Sequence, residues 1–320
     1  MPGDDPREVA RVIAAELPGF PYLAELPGRG PGADITGRTA ALLVDIPVDV
    51  SPRGWRIAER PGRDIRRARS MLSSDLDALE ETLDGYDGLL KLQAAGPWTL
   101  AATLEQTRSL NPALADPGLV ADLATSLAEG VAAHVAEVAK RLPQATLVVQ
   151  LDEPALPAVV VGAVPTASGL NRVRVPEEEV LRERLHQVIS ATGKYTVVHC
   201  CGHHVPFGII MGAGADGLSL DISQLRTADL DKLAETAESG AGLLAGVPFD
   251  FAERSPLTPE AQARTVADLW RKMTLPADKC AEQVVVTPAC GLAGASPARA
   301  HEILRAVRES ARMLAEMMGE

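Results

Sequence analysis

The chain has 320 residues, of which 46% are hydrophobic and 23% are charged, as in ordinary globular proteins. Its formal net charge of −12 argues against non-specific binding to nucleic acid. We find no apolar stretch of the ~18 residues that a bilayer span needs, and the acidic N-terminus does not resemble a signal peptide. We therefore expect a cytoplasmic protein that binds neither nucleic acid nor membrane. Its four cysteines are too few for a disulfide scaffold and fit metal ligands or nucleophiles better.

Short apolar runs alternate with long amphipathic segments along the chain. The runs have the length and composition of buried parallel strands, and they cover residues 20–25, 89–95, 146–152, 195–199, 217–221, 242–247 and 283–287. Apolar residues recur every three to four positions, as in helices that pack one face on a sheet, over residues 65–83, 119–142, 177–191 and 297–317. Residues 45–59 predict an irregular hairpin inserted after a helix.

This alternation predicts a parallel sheet with right-handed crossovers. An open doubly wound sheet and a closed barrel both fit, but no Gly-x-Gly-x-x-Gly motif follows the first strand, which weighs against a dinucleotide-binding open sheet. No linker, repeat or low-complexity tract divides the chain. We therefore predict an α/β fold, a TIM-type (β/α)8 barrel that forms a single domain over residues 1–320. The seven predicted strands are one short of a closed eight-stranded barrel.

The chemically unusual residues lie at the predicted C-terminal ends of strands, where barrels of this type hold their active sites. The fourth predicted strand runs into His199-Cys200-Cys201, and strand alternation directs His199 and Cys201 to one side and Cys200 to the other. Cys290 follows the last strand, and Asp221 ends the fifth. One imidazole, two thiolates and one carboxylate suit a tetrahedral zinc ion.

Simpler interpretations exist for each of these residues. A lone buried cysteine is usually a small core hydrophobe, so their joint position at strand ends is what favours a metal site. His203 and His204, in the loop beyond the strand, are rival ligands. Asp152 ends the third predicted strand and either contacts substrate or caps a loop.

Two features of the second predicted strand also bear on a pocket. Gly96, directly after it, either forms a tight turn that lines the pocket or caps the helix that follows. Lys91 alternates with apolar neighbours and is expected to point into the barrel, where it needs a carboxylate or carbonyl partner.

Four motifs occur in order along the chain: Gly96-Pro97-Trp98-Thr99-Leu100, Gln150-Leu151-Asp152-Glu153-Pro154-Ala155, His199-Cys200-Cys201 and Thr287-Pro288-Ala289-Cys290-Gly291-Leu292. Together they resemble the C-terminal catalytic barrel of cobalamin-independent methionine synthase. The resemblance extends from about residue 20 to residue 313, and the combination is more specific than any one motif. This barrel belongs to a superfamily shared with uroporphyrinogen decarboxylase and zinc-dependent alkyl-thiol transferases.

The resemblance implies a zinc-dependent methyltransferase that methylates the thiol of homocysteine, as in methionine synthesis, or of a similar small thiol. It implies that the zinc ligands are His199, Cys201, Asp221 and Cys290. It also implies that Asp152 contacts the homocysteine amine, that Glu25 is the nearest match to a second acidic contact, and that Gly96 lies at the substrate pocket.

The sequence departs from the family pattern at several points. The acidic zinc ligand of the family is Glu, and here it is Asp221, one methylene shorter. The family has a catalytic His after the seventh strand, where this chain offers Asp250 or Glu253. The family's opening Gly-Ser-x-Pro-Gly strand is absent, so the resemblance implies that the first barrel strand is the one missing or replaced, and dimerisation or a filling segment is expected to cover the exposed strand edge.

The resemblance also bears on the methyl donor. In the full-length synthase of the family a second, N-terminal barrel helps to bind the folate donor; this sequence shows only one barrel, so a donor other than folate, such as a methyl-corrinoid protein, is expected. Three alternative functions are a related zinc alkyl-thiol transferase, a cofactor-free decarboxylase-like barrel, and a non-catalytic barrel that binds a small molecule.

Overall fold

A computed structural model describes residues 1–251 and 258–319. The helices are α1 Pro6–Glu16, α2 Ile35–Ala40, α3 Arg63–Thr82, α4 Pro97–Thr103, α5 Pro117–Arg141, α6 Leu156–Val160, α7 Glu178–Thr192, α8 Phe207–Gly212, α9 Thr227–Glu238, α10 Pro259–Lys272, α11 Ala277–Gln283 and α12 Pro297–Gly319. The strands are β1 Val48–Ser51, β2 Gly54–Ile57, β3 Leu89–Ala95, β4 Thr146–Asp152, β5 Tyr195–Cys200, β6 Gly217–Asp221, β7 Gly242–Val247 and β8 Val284–Pro288.

The strands β3 to β8 form one parallel sheet in which each strand pairs with its neighbours in chain order. Four of them have the predicted bounds, β5 is one residue longer than predicted, and β8 is shifted by one residue. Each crossover contains helix, as parallel pairing requires. The α/β fold and the parallel sheet are therefore confirmed.

The first predicted strand, residues 20–25, is wrong in extent. Only Tyr22 forms an isolated parallel bridge, with Lys91 of β3. The Leu23 N–H donates to the Lys91 carbonyl at 3.0 Å, and the Lys91 N–H donates to the Pro21 carbonyl at 3.0 Å. Pro21 has no N–H of its own, so it cannot extend a ladder from the other side.

The sheet curls around one cavity, because residues of both edge strands, β3 and β8, line it. Between these edges, the described residues provide no strand beyond the Tyr22 bridge. Leu17, Phe20 and the α12 residues Leu304 and Val307 line the cavity on that side instead. The described chain thus forms a six-stranded half-barrel that is closed by a filling segment, and two strands of a full (β/α)8 barrel are not formed within it.

The predicted hairpin is confirmed as the antiparallel pair β1 and β2. The Trp55 indole N–H donates to the Asp34 carboxylate, with both oxygens at 3.2 Å. The Trp55 ring also lies where a side chain at Gly37 would stand, since a Cβ there would be 2.3 Å from it. The hairpin is therefore fixed against the N-terminal turn of α2.

One helix in the described ranges, α5, is long and apolar enough to span a bilayer if only length and composition are considered. More than half of that stretch is buried inside the protein, where α5 packs against α4 and α7. A buried helix of the core has the same composition, so α5 gives only weak evidence for a membrane span.

Candidate active site

A cavity of about 400 Å³ is lined by residues from all six strands of the sheet. Five of the predicted site residues line it: Glu25, Asp152, His199, Cys201 and Cys290. The cavity therefore brings two thiols, one imidazole and two carboxylates into one space.

The two predicted thiol ligands, Cys201 and Cys290, line the cavity together. The interaction between them raises the pKa of Cys201 and lowers the pKa of Cys290 to about 6. Cys290 is exposed and Cys201 is partly buried. Cys200 is fully buried on the opposite side of β5, as strand alternation predicts, and burial raises its pKa to about 12.

His199 lies beside this thiol pair at the mouth of the sheet. Its Nδ1 is 2.9 Å from the Ser219 hydroxyl of β6, which is the residue paired with it across the sheet. Burial, and then the charge of Lys91, lower the pKa of His199 to about 4. The imidazole is therefore neutral near pH 7, the form that can bind a metal, and Nε2 has no hydrogen-bond partner among the described residues.

Asp221, the predicted fourth ligand, does not join this group. Its carboxylate accepts hydrogen bonds from the Ser223 N–H at 3.0 Å and the Ser223 hydroxyl at 2.6 Å. It caps the turn after β6 and is not among the described residues that line the cavity. Within residues 1–251 and 258–319, no group of three or more His, Cys, Asp or Glu side chains is already arranged to hold a metal ion. The donor types of His199, Cys201 and Cys290 nevertheless suit zinc.

Two carboxylates, those of Asp152 and Glu25, also line the cavity. Asp152 is buried and accepts a hydrogen bond from the Gln150 amide at 2.7 Å. Burial raises the pKa of Asp152 to about 6 and that of Glu25 to about 7. Glu25 Oε1 is buried without a hydrogen-bond partner in the described part of the chain. The Met1 amino group donates to the backbone carbonyl of Glu25 at 2.7 Å.

Lys91 lies in the same cavity, as expected from its place in β3. Its Nζ donates to the Gln150 side-chain carbonyl at 3.1 Å and lies 5.4 Å from the centroid of the Tyr22 ring. The carbonyl partner that the sequence required is therefore present. Burial lowers the pKa of Lys91, whereas the nearby Asp152 and Glu25 charges raise it.

A third carboxylate, Glu153, has a role that the sequence did not reveal. It is fully buried and accepts hydrogen bonds from the Trp98 N–H at 2.9 Å, the Thr99 N–H at 2.7 Å and the Thr99 hydroxyl at 2.7 Å. These donors are at the start of α4, so Glu153 caps that helix from another strand end. Burial raises the pKa of Glu153 to about 7, and the hydrogen bonds oppose this shift.

Gly96 is the residue before α4, and its contacts favour the capping interpretation. Its N–H donates to the Asp152 carbonyl at 2.8 Å, and it is not among the described residues that line the cavity. A Cβ at Gly96 would lie 2.3 Å from Glu153 Oε1. The Gly-Pro-Trp-Thr and Asp-Glu-Pro motifs therefore pack closely and hydrogen-bond to each other, which fixes the position of Asp152.

Replacing Gly96 with alanine is expected to lower the free energy of unfolding by about 1–3 kcal/mol, because Glu153 is held by three hydrogen bonds and cannot move aside. Urea denaturation measures this change. The control is Gly208→Ala in α8, where no atom lies within 4 Å of the added Cβ. Equal stabilities of the two variants would contradict the close packing of Gly96 on Glu153.

The remaining predicted residues lie apart from the cavity or outside the described ranges. The Asp250 carbonyl accepts hydrogen bonds from the Arg299 Nε at 3.1 Å and Nη2 at 3.0 Å, and Asp250 is not among the described lining residues. Glu253 lies outside the described residues. His203 and His204 are exposed and do not line the cavity either.

Comparison with known proteins identifies one family, and the solved structures similar to the chain include two that are described here. The family model for the cobalamin-independent synthase, catalytic domain, matches residues 2–313. No protein of curated function matches the chain. A B12-independent methionine synthase from Shewanella sp. W3-18-1, in complex with selenomethionine, is similar with 16% identity and a TM-score of 0.49, over 76% of this chain and 66% of that chain. ZgEngAGH5_4 in complex with a cellotriose is similar with 12% identity and a TM-score of 0.40, over 97% of this chain and 87% of that chain.

Proposed function

Because the chain belongs to the family of cobalamin-independent synthase catalytic domains, we propose that it is a zinc-dependent methyltransferase acting on the thiol of homocysteine or of a similar small thiol. The observation that carries this proposal is that Cys201 and Cys290 share one cavity with the His199 imidazole and with two carboxylates, the buried Asp152 and the partly buried Glu25. Thiol and imidazole groups together with carboxylates fit a substrate that has both a thiol and an amine.

His199, Cys201 and Cys290 are the residues that would hold the zinc ion. Three protein ligands with one open position are typical of catalytic rather than structural zinc sites. When bound, zinc lowers the pKa of a coordinated thiol so that the reactive thiolate forms near neutral pH. Asp221 would join as a fourth ligand only by giving up its hydrogen bonds to Ser223.

Asp152 and Glu25 are proposed to bind the substrate ammonium group. Asp152 is oriented by Gln150, and Glu25 Oε1 has no hydrogen-bond donor of its own in the described chain. A buried acceptor without a donor is costly, so an ammonium group that donates to it improves binding. Both carboxylates then recover the ionised state that burial disfavours.

We further propose a donor other than folate, such as a methyl-corrinoid protein, and Asp250 or Glu253 as the group that takes the thiol proton. Formation of a homodimer is also proposed. All four cysteines are free thiols, which supports a reducing, cytoplasmic compartment.

The alternatives make different demands on the thiols. A decarboxylase-like barrel or a non-catalytic binding barrel has no need for two cysteines at the cavity. A related alkyl-thiol transferase would use the same zinc ligands with another acceptor. Metal content therefore separates the first two alternatives from the thiol transferases, and acceptor choice separates the transferases from each other.

We expect the purified full chain to contain about one zinc ion, and we expect the Cys290→Ala variant to lose it. Elemental analysis measures the metal. Cys280→Ala is the control, because Cys280 is a buried thiol on α11 that does not line the cavity. Methylation of homocysteine is then assayed with methyltetrahydrofolate and with a methyl-corrinoid protein. Absence of zinc from both fresh and zinc-treated protein would overturn the proposal.

A further inference from the structure

We infer that Lys91 determines substrate specificity by binding the carboxylate of an α-amino acid thiol. The inference rests on the proposed function, because it concerns the same cavity. Lys91 is partly buried in β3 and its side chain lines the cavity together with Asp152 and Glu25.

Lys91 has fewer partners than its ammonium group can use. Of its three N–H donors, one is directed to the neutral amide oxygen of Gln150 at 3.1 Å. Among the described residues no ion pair is formed by Lys91, although the Asp152 and Glu25 carboxylates line the same cavity and their charges raise its pKa. The Tyr22 ring adds a cation–π contact but no hydrogen-bond acceptor. Two donors therefore remain for a ligand in the cavity.

Whereas Lys91 has unused hydrogen-bond donors, the cavity also contains acceptors that lack a donor. Glu25 Oε1 and Gln93 Oε1 are buried without a hydrogen-bond donor in the described part of the chain. Both residues line the cavity with Lys91. An ammonium group of a ligand could donate to Glu25 Oε1 and Gln93 Oε1, and a carboxylate group of the same ligand could accept hydrogen bonds from the Lys91 ammonium group. An amine without a carboxylate would satisfy the acceptors and leave Lys91 unpaired.

Strand register sets the order of these groups along the cavity. Asp152 pairs with His199 and with Ala95, so all three lie at one level near the thiols. Lys91 lies four residues deeper in β3, about 13 Å along the strand. Its side chain then reaches Gln150, whose amide in turn orients Asp152. A substrate with its thiol at Cys201 and Cys290 would therefore direct its zwitterionic end toward Lys91.

Binding of two ligands to the full chain with its metal tests this inference by calorimetry. Methionine has both head groups, and 3-(methylthio)propylamine lacks the carboxylate. In Lys91→Met, we expect the Kd of methionine to rise about 10- to 100-fold, while that of the amine changes less than about 2-fold. Lys91→Arg should retain much of the methionine affinity. Asp152→Asn is the control, and it should weaken both ligands.

The outcomes separate this inference from the proposed function. Equal effects of Lys91→Met on both ligands, no effect on either, or no binding of methionine to the wild-type protein would overturn the role of Lys91. Circular dichroism establishes that each variant is folded. Because no methyl donor is present, failure of methyl transfer would overturn the proposed reaction and leave the binding result standing.

Discussion

Replacing Cys201 with alanine is expected to remove zinc and to reduce methyl transfer at least about 10³-fold. Loss of outer-shell partners of a metal site already costs about 10- to 100-fold, so loss of a direct ligand should cost more. The change also removes the neighbouring thiol whose interaction lowers the pKa of Cys290. Elemental analysis and a methyl-transfer assay on the same preparation measure the two effects.

Cys200→Ala is the matched control for this prediction. Cys200 is adjacent in the chain and fully buried, but its side chain lies on the other side of β5, away from the cavity. We expect this variant to lose about 1 kcal/mol of stability, as for a small core truncation, and to keep its zinc. Retention of zinc in Cys201→Ala, or its loss in a folded Cys200→Ala, would contradict the proposed ligand set.

The different positions of these adjacent cysteines could be predicted because a β-strand alternates its sides. The same rule placed Lys91 and Asp152 in the cavity. Four strand bounds were also predictable, since buried parallel strands read as short apolar runs between Gly, Pro and Asp. These features depend only on local periodicity, which a sequence displays directly.

Features that depend on a specific hydrogen-bond partner were less predictable. The run 20–25 has a strand-like composition, yet only Tyr22 pairs with β3. Pro21 was the available signal, because a residue without an N–H cannot continue a ladder. Asp221 ends a strand as expected, but its carboxylate accepts hydrogen bonds from Ser223, two residues later. The sequence Asp-x-Ser is typical of such a turn.

The roles of Asp152 and Glu153 could not be separated from the sequence, because the partner of Glu153 is the start of a helix more than fifty residues earlier. Local spacing gives no sign of a cap supplied from that distance. The structure separates them clearly: Asp152 faces the cavity, and Glu153 faces the N-terminus of α4. We therefore expect a substitution of Glu153 to reduce stability and a substitution of Asp152 to weaken substrate binding.

Replacing Glu153 with alanine is expected to lower the free energy of unfolding by about 3–5 kcal/mol. Two backbone N–H groups and one hydroxyl would lose their acceptor inside the protein, and each unsatisfied buried group costs about 1–3 kcal/mol. A water molecule entering the space would recover part of this cost, which keeps the estimate below the full sum. Urea denaturation measures the loss.

Asp152→Asn provides the contrast, since it keeps the side-chain shape and removes the charge that burial already disfavours. We expect its free energy of unfolding to change by less than about 1 kcal/mol, while the KM for homocysteine rises about 10- to 100-fold through the lost ammonium contact. If Glu153→Ala instead left stability intact and impaired only catalysis, Glu153 would belong to the reacting site. The contact between the two motifs would then depend only on the hydrogen bond from the Gly96 N–H to the Asp152 carbonyl.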